Sequence, residues 1–193
     1  FSLGRSLSQF DARHRLVFSY QYDIPFKRLF KNSSNRFIEG WSISGITSFQ
    51  SGFPIRLQDF TDASLTGTSG DFESTDTPDQ VSPVRILEPR KNNLYFFDPS
   101  SFRTVPDNEF GRFGTASRQF FSGPGINNWD IAILKTTRLT EKQTLEFRLE
   151  GFNLFNHAQF LNPDGIITDG ERFGRIFRVR EPRSIQLALK LLF

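Results

Sequence analysis

The sequence predicts an all-β fold, an antiparallel meander of about five long strands that forms part of a transmembrane barrel wall. Three observations predict it. Apolar and polar residues alternate along five separate segments, and alternate side chains of a strand point to opposite faces. The connections between those segments switch between short and very long, as periplasmic turns and extracellular loops do in outer-membrane barrels. The last segment ends on Phe193 and matches the roughly 9–11 residues that a tilted membrane strand needs.

The first strand is expected at residues 14–26. Leu16, Phe18, Tyr20, Tyr22 and Ile24 share a face assigned to lipid, and Arg15, Gln21 and Asp23 share a lumenal face with Val17 and Ser19. Pro25 lacks an N–H for the ladder and should end the pairing. The second strand is expected at residues 37–53, with Trp41, Ile43, Thr47 and Phe49 on the lipid side beside Gly45. Ser42, Ser44, Ser48 and Gln50 lie opposite, where Ile46 breaks the pattern. The third covers residues 129–139: Trp129, Ile131 and Ile133 face lipid, Asp130, Ala132, Thr136 and Arg138 face inward, and Leu134 is out of phase. The fourth, residues 144–155, points Leu145, Phe147 and Leu149 outward and Glu146, Arg148 and Glu150 inward. The fifth, residues 184–193, sets Ile185, Leu187, Leu189, Leu191 and Phe193 against Gln186, Ala188 and Lys190, with Lys190 in the lumen.

Composition is compatible with this. Hydrophobic residues make up 37% of 193, and no run approaches the roughly 18 apolar residues of a membrane helix. A barrel keeps overall hydropathy low, because only alternate residues meet lipid. Phe is abundant, 24 residues against 3 Tyr and 2 Trp. These aromatics read either as girdles at two membrane interfaces or as the ordinary core of a β-sandwich. Cys and Met are absent, which excludes disulfides, thiol nucleophiles and Cys-ligated metals. A net charge of +3 without a dense basic cluster gives no case for nucleic acid. The chain begins at Phe1 without an initiator Met and reads as a piece of a longer protein.

Residues 27–36 and 140–142 are expected to be the shorter turns, and residues 54–128 and 156–183 the long extracellular loops. With the short turns periplasmic, Phe193, Phe26, Phe37 and Trp41 lie near the inner rim, and Phe53, Trp129 and Phe155 near the outer one.

Several stretches taken in order resemble the C-terminal barrel region of TonB-dependent outer-membrane receptors, in particular the Oar-like group. They are Phe10-Asp11-Ala12-Arg13-His14-Arg15, Gly40-Trp41-Ser42-Ile43-Ser44-Gly45-Ile46, Ser122-Gly123-Pro124-Gly125 with Asn128-Trp129-Asp130, Glu150-Gly151-Phe152-Asn153-Leu154-Phe155-Asn156-His157, and Pro182-Arg183-Ser184-Ile185-Gln186-Leu187-Ala188-Leu189-Lys190. The resemblance implies a barrel of about 22 strands around a plug, of which this chain supplies the last five. It further implies outer-membrane localisation, uptake of a bulky ligand, and contact with the energising TonB complex through an absent N-terminal part. The implied partners are outer-membrane lipid, the rest of the barrel with its plug, and the outer-membrane assembly machinery. The terminal strand resembles the β-signal read by that machinery, with Gln186, Ala188, Leu191 and Phe193 in its polar, small and two apolar or aromatic places. Ala188 stands where the family usually has Gly.

No enzyme, metal or cofactor site is expected. His14 and His157 are the only histidines and are far apart, so a structural role outweighs catalysis or zinc binding. Glu146, Arg148 and Glu150 share one strand face, which suits a lumenal ion-pair network better than glycoside hydrolysis. Residues 59–80 hold Asp59, Asp62, Asp71, Glu73, Asp76 and Asp79 with no Lys or Arg. They lack the spacing of a calcium loop and are expected to form a solvated, mobile loop. Ser122-Gly123-Pro124-Gly125 lacks the lysine of a phosphate loop, and Asn32-Ser33-Ser34 is a short glycosylation sequon.

Three functions compete. The first is a receptor wall with ligand-selecting loops. The second is a passive porin or adhesin barrel, which the missing upstream sequence would separate from the first. The third is a soluble β-sandwich that binds glycans, which would be a water-soluble monomer.

Overall fold

The computed structural model describes residues 6–26, 38–67 and 76–193. The expected turn at 27–36, Phe37, the sequon, Asp71 and Glu73 lie outside the described residues. The chain divides into two compact units. Among the described residues no helix is long and apolar enough to cross a membrane.

One unit comprises His14–Gln50, Ile126–Gln159 and Glu181–Phe193. It is a five-stranded antiparallel sheet of β1 (Arg15–Asp23), β2 (Trp41–Gln50), β5 (Ile126–Arg138), β6 (Thr144–Phe152) and β7 (Ser184–Leu192). Strand order follows chain order, β1-β2-β5-β6-β7, so the sheet is a meander with β1 and β7 at its edges. The shortest of these strands has 9 residues and the longest 13, enough to cross about 25–30 Å of hydrocarbon when tilted.

Local chemistry sets the strand ends. β2 starts after Gly40, which has φ +79 and whose missing side chain leaves room for the Thr136 carbonyl, 2.2 Å from where a Cβ would stand. The Thr136 N–H donates to the Gly40 carbonyl at 2.8 Å, joining β2 to β5 at that end. β5 and β6 are joined by a tight turn in which the Leu139 N–H donates to the Gln143 carbonyl and the Gln143 N–H to Thr140 Oγ1, 2.9 and 3.1 Å. β5 begins at Ile126, three residues before the expected Trp129, because Ile126 and the polar Asn127 and Asn128 already pair with Gln50, Phe49 and Ser48. β6 stops at Phe152 rather than 155, because Asn153 turns to φ 46, a left-handed conformation that Asn tolerates.

The other unit comprises Phe1–Arg13, Ser51–Gly125 and Phe160–Arg180. Its regular structure is sparse: the short ladder of β3 (Asp79–Gln80) with β4 (Phe102–Arg103), several isolated bridges, and single 3₁₀ turns such as Pro99–Ser101. It still has its own core of Ile55, Leu57, Phe97, Phe102, Ala116 and Phe173. Phe97 meets Phe102, Phe121 and Phe173 edge to face, with ring centroids 5.1–5.8 Å apart, a geometry that adds to simple area burial. Backbone segments approach closely at glycines such as Gly165, where a Cβ would stand 1.8 Å from the Arg56 carbonyl oxygen.

For the described residues 59–67 and 76–80, this packing corrects the expectation of a solvated acidic loop at residues 59–80. Asp59, Asp76 and Asp79 are 0, 2 and 3% exposed. Asp79 is held by both Nη groups of Arg112 at 2.8 Å and by the Thr115 N–H at 3.1 Å. Asp76 accepts the Ser64 N–H and hydroxyl at 2.9 and 2.6 Å. The acidic stretch has no cation of its own. Arg112 and Arg103 reach Asp79 from residues further along the chain.

Candidate functional site

The candidate site is the sheet itself, because its two faces differ in chemistry. In an antiparallel pair, residues directly opposite each other share a face. The register pairs Leu16 with Phe49, Tyr20 with Gly45 and Tyr22 with Ile43. Ile43 pairs with Ile133 and Gly45 with Ile131, and Ile133 then pairs with Leu149 and Thr137 with Leu145. Leu149 faces Leu187, Phe147 faces Leu189, Leu145 faces Leu191 and Gly151 faces Ile185. Phe18 joins this set opposite Thr47. The apolar residues that the sequence placed on one side of each strand therefore stand on one continuous face, except Ile24, which lies beyond the end of β1.

The opposite face collects the residues assigned to the lumen. Arg15 pairs with Gln50, Gln21 with Ser44 and Asp23 with Ser42. Glu150 pairs with Ala132 and Gln186, Arg148 with Leu134 and Ala188, and Glu146 with Thr136 and Lys190. Arg148 donates to Glu150 at 2.6 Å. Asp130 accepts from the Asn128 side chain at 3.0 Å and from the Asn153 N–H at 2.9 Å. A hollow of about 520 Å³ is lined by Ser19, Gln21, Ser44, Asp130, Arg148 and Glu150 among others. The two apolar exceptions noted in the sequence, Ile46 and Leu134, lie on this face opposite Asp130 and Arg148. They give the polar face patches of packing surface.

The apolar face is fitted around its own irregularities. Gly45 leaves room for the Tyr20 ring, since a Cβ there would stand 2.6 Å from Tyr20 Oη. The Tyr20 hydroxyl lies 3.4 Å from Thr47 Oγ1. An edge ring lying over a glycine in this way protects the bare backbone. At the end of the sheet that carries the long connections, Phe49, Trp129, Phe155 and His157 form a chain of ring contacts with centroids 5.6–6.2 Å apart. Trp129 Nε1 donates to Asn127 Oδ1 at 2.9 Å, so the ring is apolar on its body and polar at its tip, as interfacial Trp is. His157 Nδ1 lies 3.2 Å from the Asn127 carbonyl. Asn153 accepts the His157 N–H at 3.0 Å and donates to the His157 carbonyl at 2.9 Å.

Lys135 is a feature that the sequence reading did not assign. It lies on the apolar face by parity with Ile131 and Ile133. Its ammonium donates to the Glu39 carbonyl and sits 5.7 Å over the Trp41 ring, near the short-turn end of the sheet. Parity could have placed it, but the backbone carbonyl that receives it is 96 residues away in sequence.

The terminal strand presents both its chemistry and its edge. All its residues are exposed, with Leu187 and Leu189 each at 69% and Phe193 at 89%. Of the four residues whose pattern resembles an assembly signal, Gln186 and Ala188 stand on the polar face and Leu191 on the apolar one.

In the other unit, the Arg112 bonds hold the Asp79 carboxyl below the usual carboxylate range, against the opposing effect of burial. The same bonds push the Arg112 guanidinium higher still. Among the described residues no group of three or more His, Asp or Glu converges to hold a metal.

A family model described as "Outer membrane beta barrel domain" matches residues 1–186. No curated protein matches, and no solved structure does.

Proposed function

Since the chain belongs to the outer membrane beta-barrel domain family and so resides in the outer membrane, we propose that it forms a stretch of wall and ligand-selecting loops of a TonB-dependent receptor that imports a bulky solute. The observation that carries this is the segregation of the two sheet faces. One face presents Leu, Ile, Phe and Tyr across all five strands, and the other presents Arg148, Glu150, Asp130 and Gln21 around a hollow. In hydrocarbon every backbone polar group must be satisfied, so strands span only within a closed sheet. The β1 and β7 edges each have one neighbour in the sheet, and further strands at those edges complete the barrel in this reading. The number of strands, the plug and the TonB contact belong to the same proposal.

Both long connections leave the sheet from one end: the C-terminal ends of β2 and β6 and the N-terminal ends of β5 and β7. That arrangement favours a receptor over a plain pore, because these connections fold around a core of their own and so offer a shaped surface for a ligand. The test replaces residues 54–125 with a short turn in the full-length protein. Solutes removed from the medium by energised cells are followed by mass spectrometry, with and without a protonophore. The receptor reading expects normal assembly, loss of energy-dependent uptake on loop replacement, and loss of uptake in the parent when the protonophore is added. Uptake that ignores the protonophore identifies a passive pore. Uptake that survives loop replacement removes the loops from ligand selection.

A further inference from the structure

The alternation of β7 does not say where along β6 it should sit. Leu187, Leu189 and Leu191 recur at every second position, so a slip of two residues returns leucine to the apolar face. A tight turn can set register, as the one between β5 and β6 does, but β6 and β7 are joined by a long connection. Charge settles half of the question. The observed register sets Glu146 against Lys190 and Arg148 against Ala188. One two-residue slip would bring Lys190 opposite Arg148, and like charges directly opposite destabilise a sheet. The other slip would bring Gln186 opposite Arg148 and Lys190 opposite Thr144, which carries no such penalty.

Beyond the last pair of the ladder, Phe152 with Ser184, the same two stretches of chain are joined again. Asn153 and Asn156 both take left-handed backbone conformations, φ 46 and 51, and the Asn156 N–H donates to the Asn153 carbonyl at 2.7 Å. This turn is anchored to β5, because the Asn153 N–H donates to the Asp130 carboxylate at 2.9 Å. The Asn153 residue is 6% exposed, and its amide is oriented by the backbone N–H and carbonyl of His157 at 3.0 and 2.9 Å. From there it reaches the segment that leads into β7, donating to the Glu181 carbonyl at 3.3 Å. Asn156 does the same with the opposite polarity, accepting the Arg183 N–H at 3.4 Å. A slip of two residues moves Glu181 and Arg183 about 7 Å along the strand, further than either bond can stretch.

We propose that Asn153 and Asn156 form a clasp that sets the register of the terminal strand. Arg148 opposes one misregister by its charge, and the clasp opposes both. The clasp does for the β6–β7 pair what a tight turn does for β5–β6. It concerns pairing within this sheet and is independent of what the barrel carries.

The test traps the register by disulfide formation in the full-length protein, assembled in its membrane with any cysteine elsewhere replaced. Glu150→Cys is combined in turn with Gln186→Cys, Ser184→Cys and Ala188→Cys, and the links formed on oxidation are scored in proteolytic fragments by mass spectrometry. Directly opposite residues come close enough to link, whereas diagonal neighbours stand about 7–8 Å apart and link far less. Glycine replaces the asparagines, because it keeps a left-handed backbone and removes only the side chain. The parent should link 150 to 186. Asn153→Gly with Asn156→Gly should raise the ratio of the 184 link to the 186 link about 30-fold, the effect of losing two hydrogen bonds of about 1 kcal/mol each, and should leave the 188 link rare. Adding Lys190→Gln should bring up the 188 link too. Asn92→Gly, which loses a side-chain bond to Glu88 in the other unit, should change no link. An unchanged ratio in the double variant, an equal rise in Asn92→Gly, or a rise in the 188 link in place of the 184 link overturns the proposal. If the double variant does not assemble, Asn156→Gly alone should raise the ratio about fivefold, and an unchanged ratio there overturns the proposal as well.

Discussion

Asp79 decides whether the core beside it is an electrostatic asset or a liability. Its carboxylate is buried, and Arg112 closes on it with two 2.8 Å bonds. Removing one partner of such a pair leaves an uncompensated charge, which costs about 3–5 kcal/mol when both are fully buried. Arg112 keeps 34% of its side chain in water, so Arg112→Gln should destabilise this unit by less than that. Hydrogen exchange across residues 76–116 measures it, and parent-like protection in the variant would remove the pair from the stability of this unit. The pH dependence follows from the same bonds. A carboxyl held below its ordinary value contributes stability that is present in full above the unfolded-state value of about 3.9. That contribution disappears as pH falls through the depressed folded-state value. Exchange, corrected for its intrinsic pH dependence, should rise on acidification below about pH 4, and the Asp79→Asn variant should lack that component. Phe97, fully buried among three other rings, should cost about 3–5 kcal/mol on change to Ala.

At the scale of the strand, parity is the organising fact. Leu187 faces Leu149, and Phe147 faces both Leu189 and Lys135. Leu187→Arg or Phe147→Arg should each destabilise the inserted protein by about 2–4 kcal/mol, the cost of a cation near the bilayer midplane. Arg148→Gln and Lys190→Gln, on the opposite face, should each cost under about 1 kcal/mol. Denaturant titration in lipid reads both sets, and equal costs would mean that the faces are wrongly assigned. Gly165 tests the irregular connections in the same way. A methyl group there would meet the Arg56 carbonyl at 1.8 Å, so Gly165→Ala should force the backbone apart and expose the neighbouring segments to protease.

Over the whole molecule, what could be read from the sequence follows from how local each signal is. Strand faces depend on a period of two, which Leu145-Glu146-Phe147-Arg148-Leu149-Glu150 displays within six residues. Strand register depends on pairing and was not legible: nothing in the local pattern says that Ile43 meets Ile133, 90 positions along the chain. The ends of β5 and β6 were misjudged because Asn127, Asn128 and Asn153 carry no apolar alternation. The long connections were misread for a third reason. Gly, Pro, Asp and Ser mark turns, but the core of Ile55, Leu57, Phe97, Phe102 and Phe173 draws on residues spread over more than a hundred positions. Buried Asp79 is satisfied by Arg112, 33 residues away, so counting charges within the acidic stretch could not find its partner.

The central claim is that one face of this sheet touches hydrocarbon and the other touches water. These 193 residues contain no cysteine, so, with any cysteine elsewhere in the full-length protein replaced, single cysteines can be introduced and spin-labelled one at a time along β6 and β7. With the full-length protein in lipid, collision rates with oxygen and with a water-soluble nickel complex should alternate residue by residue. Labels at 145, 147, 149, 185, 187 and 189 should favour oxygen, and labels at 146, 148, 150, 186, 188 and 190 should favour nickel. A profile without that period of two, or one with oxygen favouring the even positions, would contradict the account.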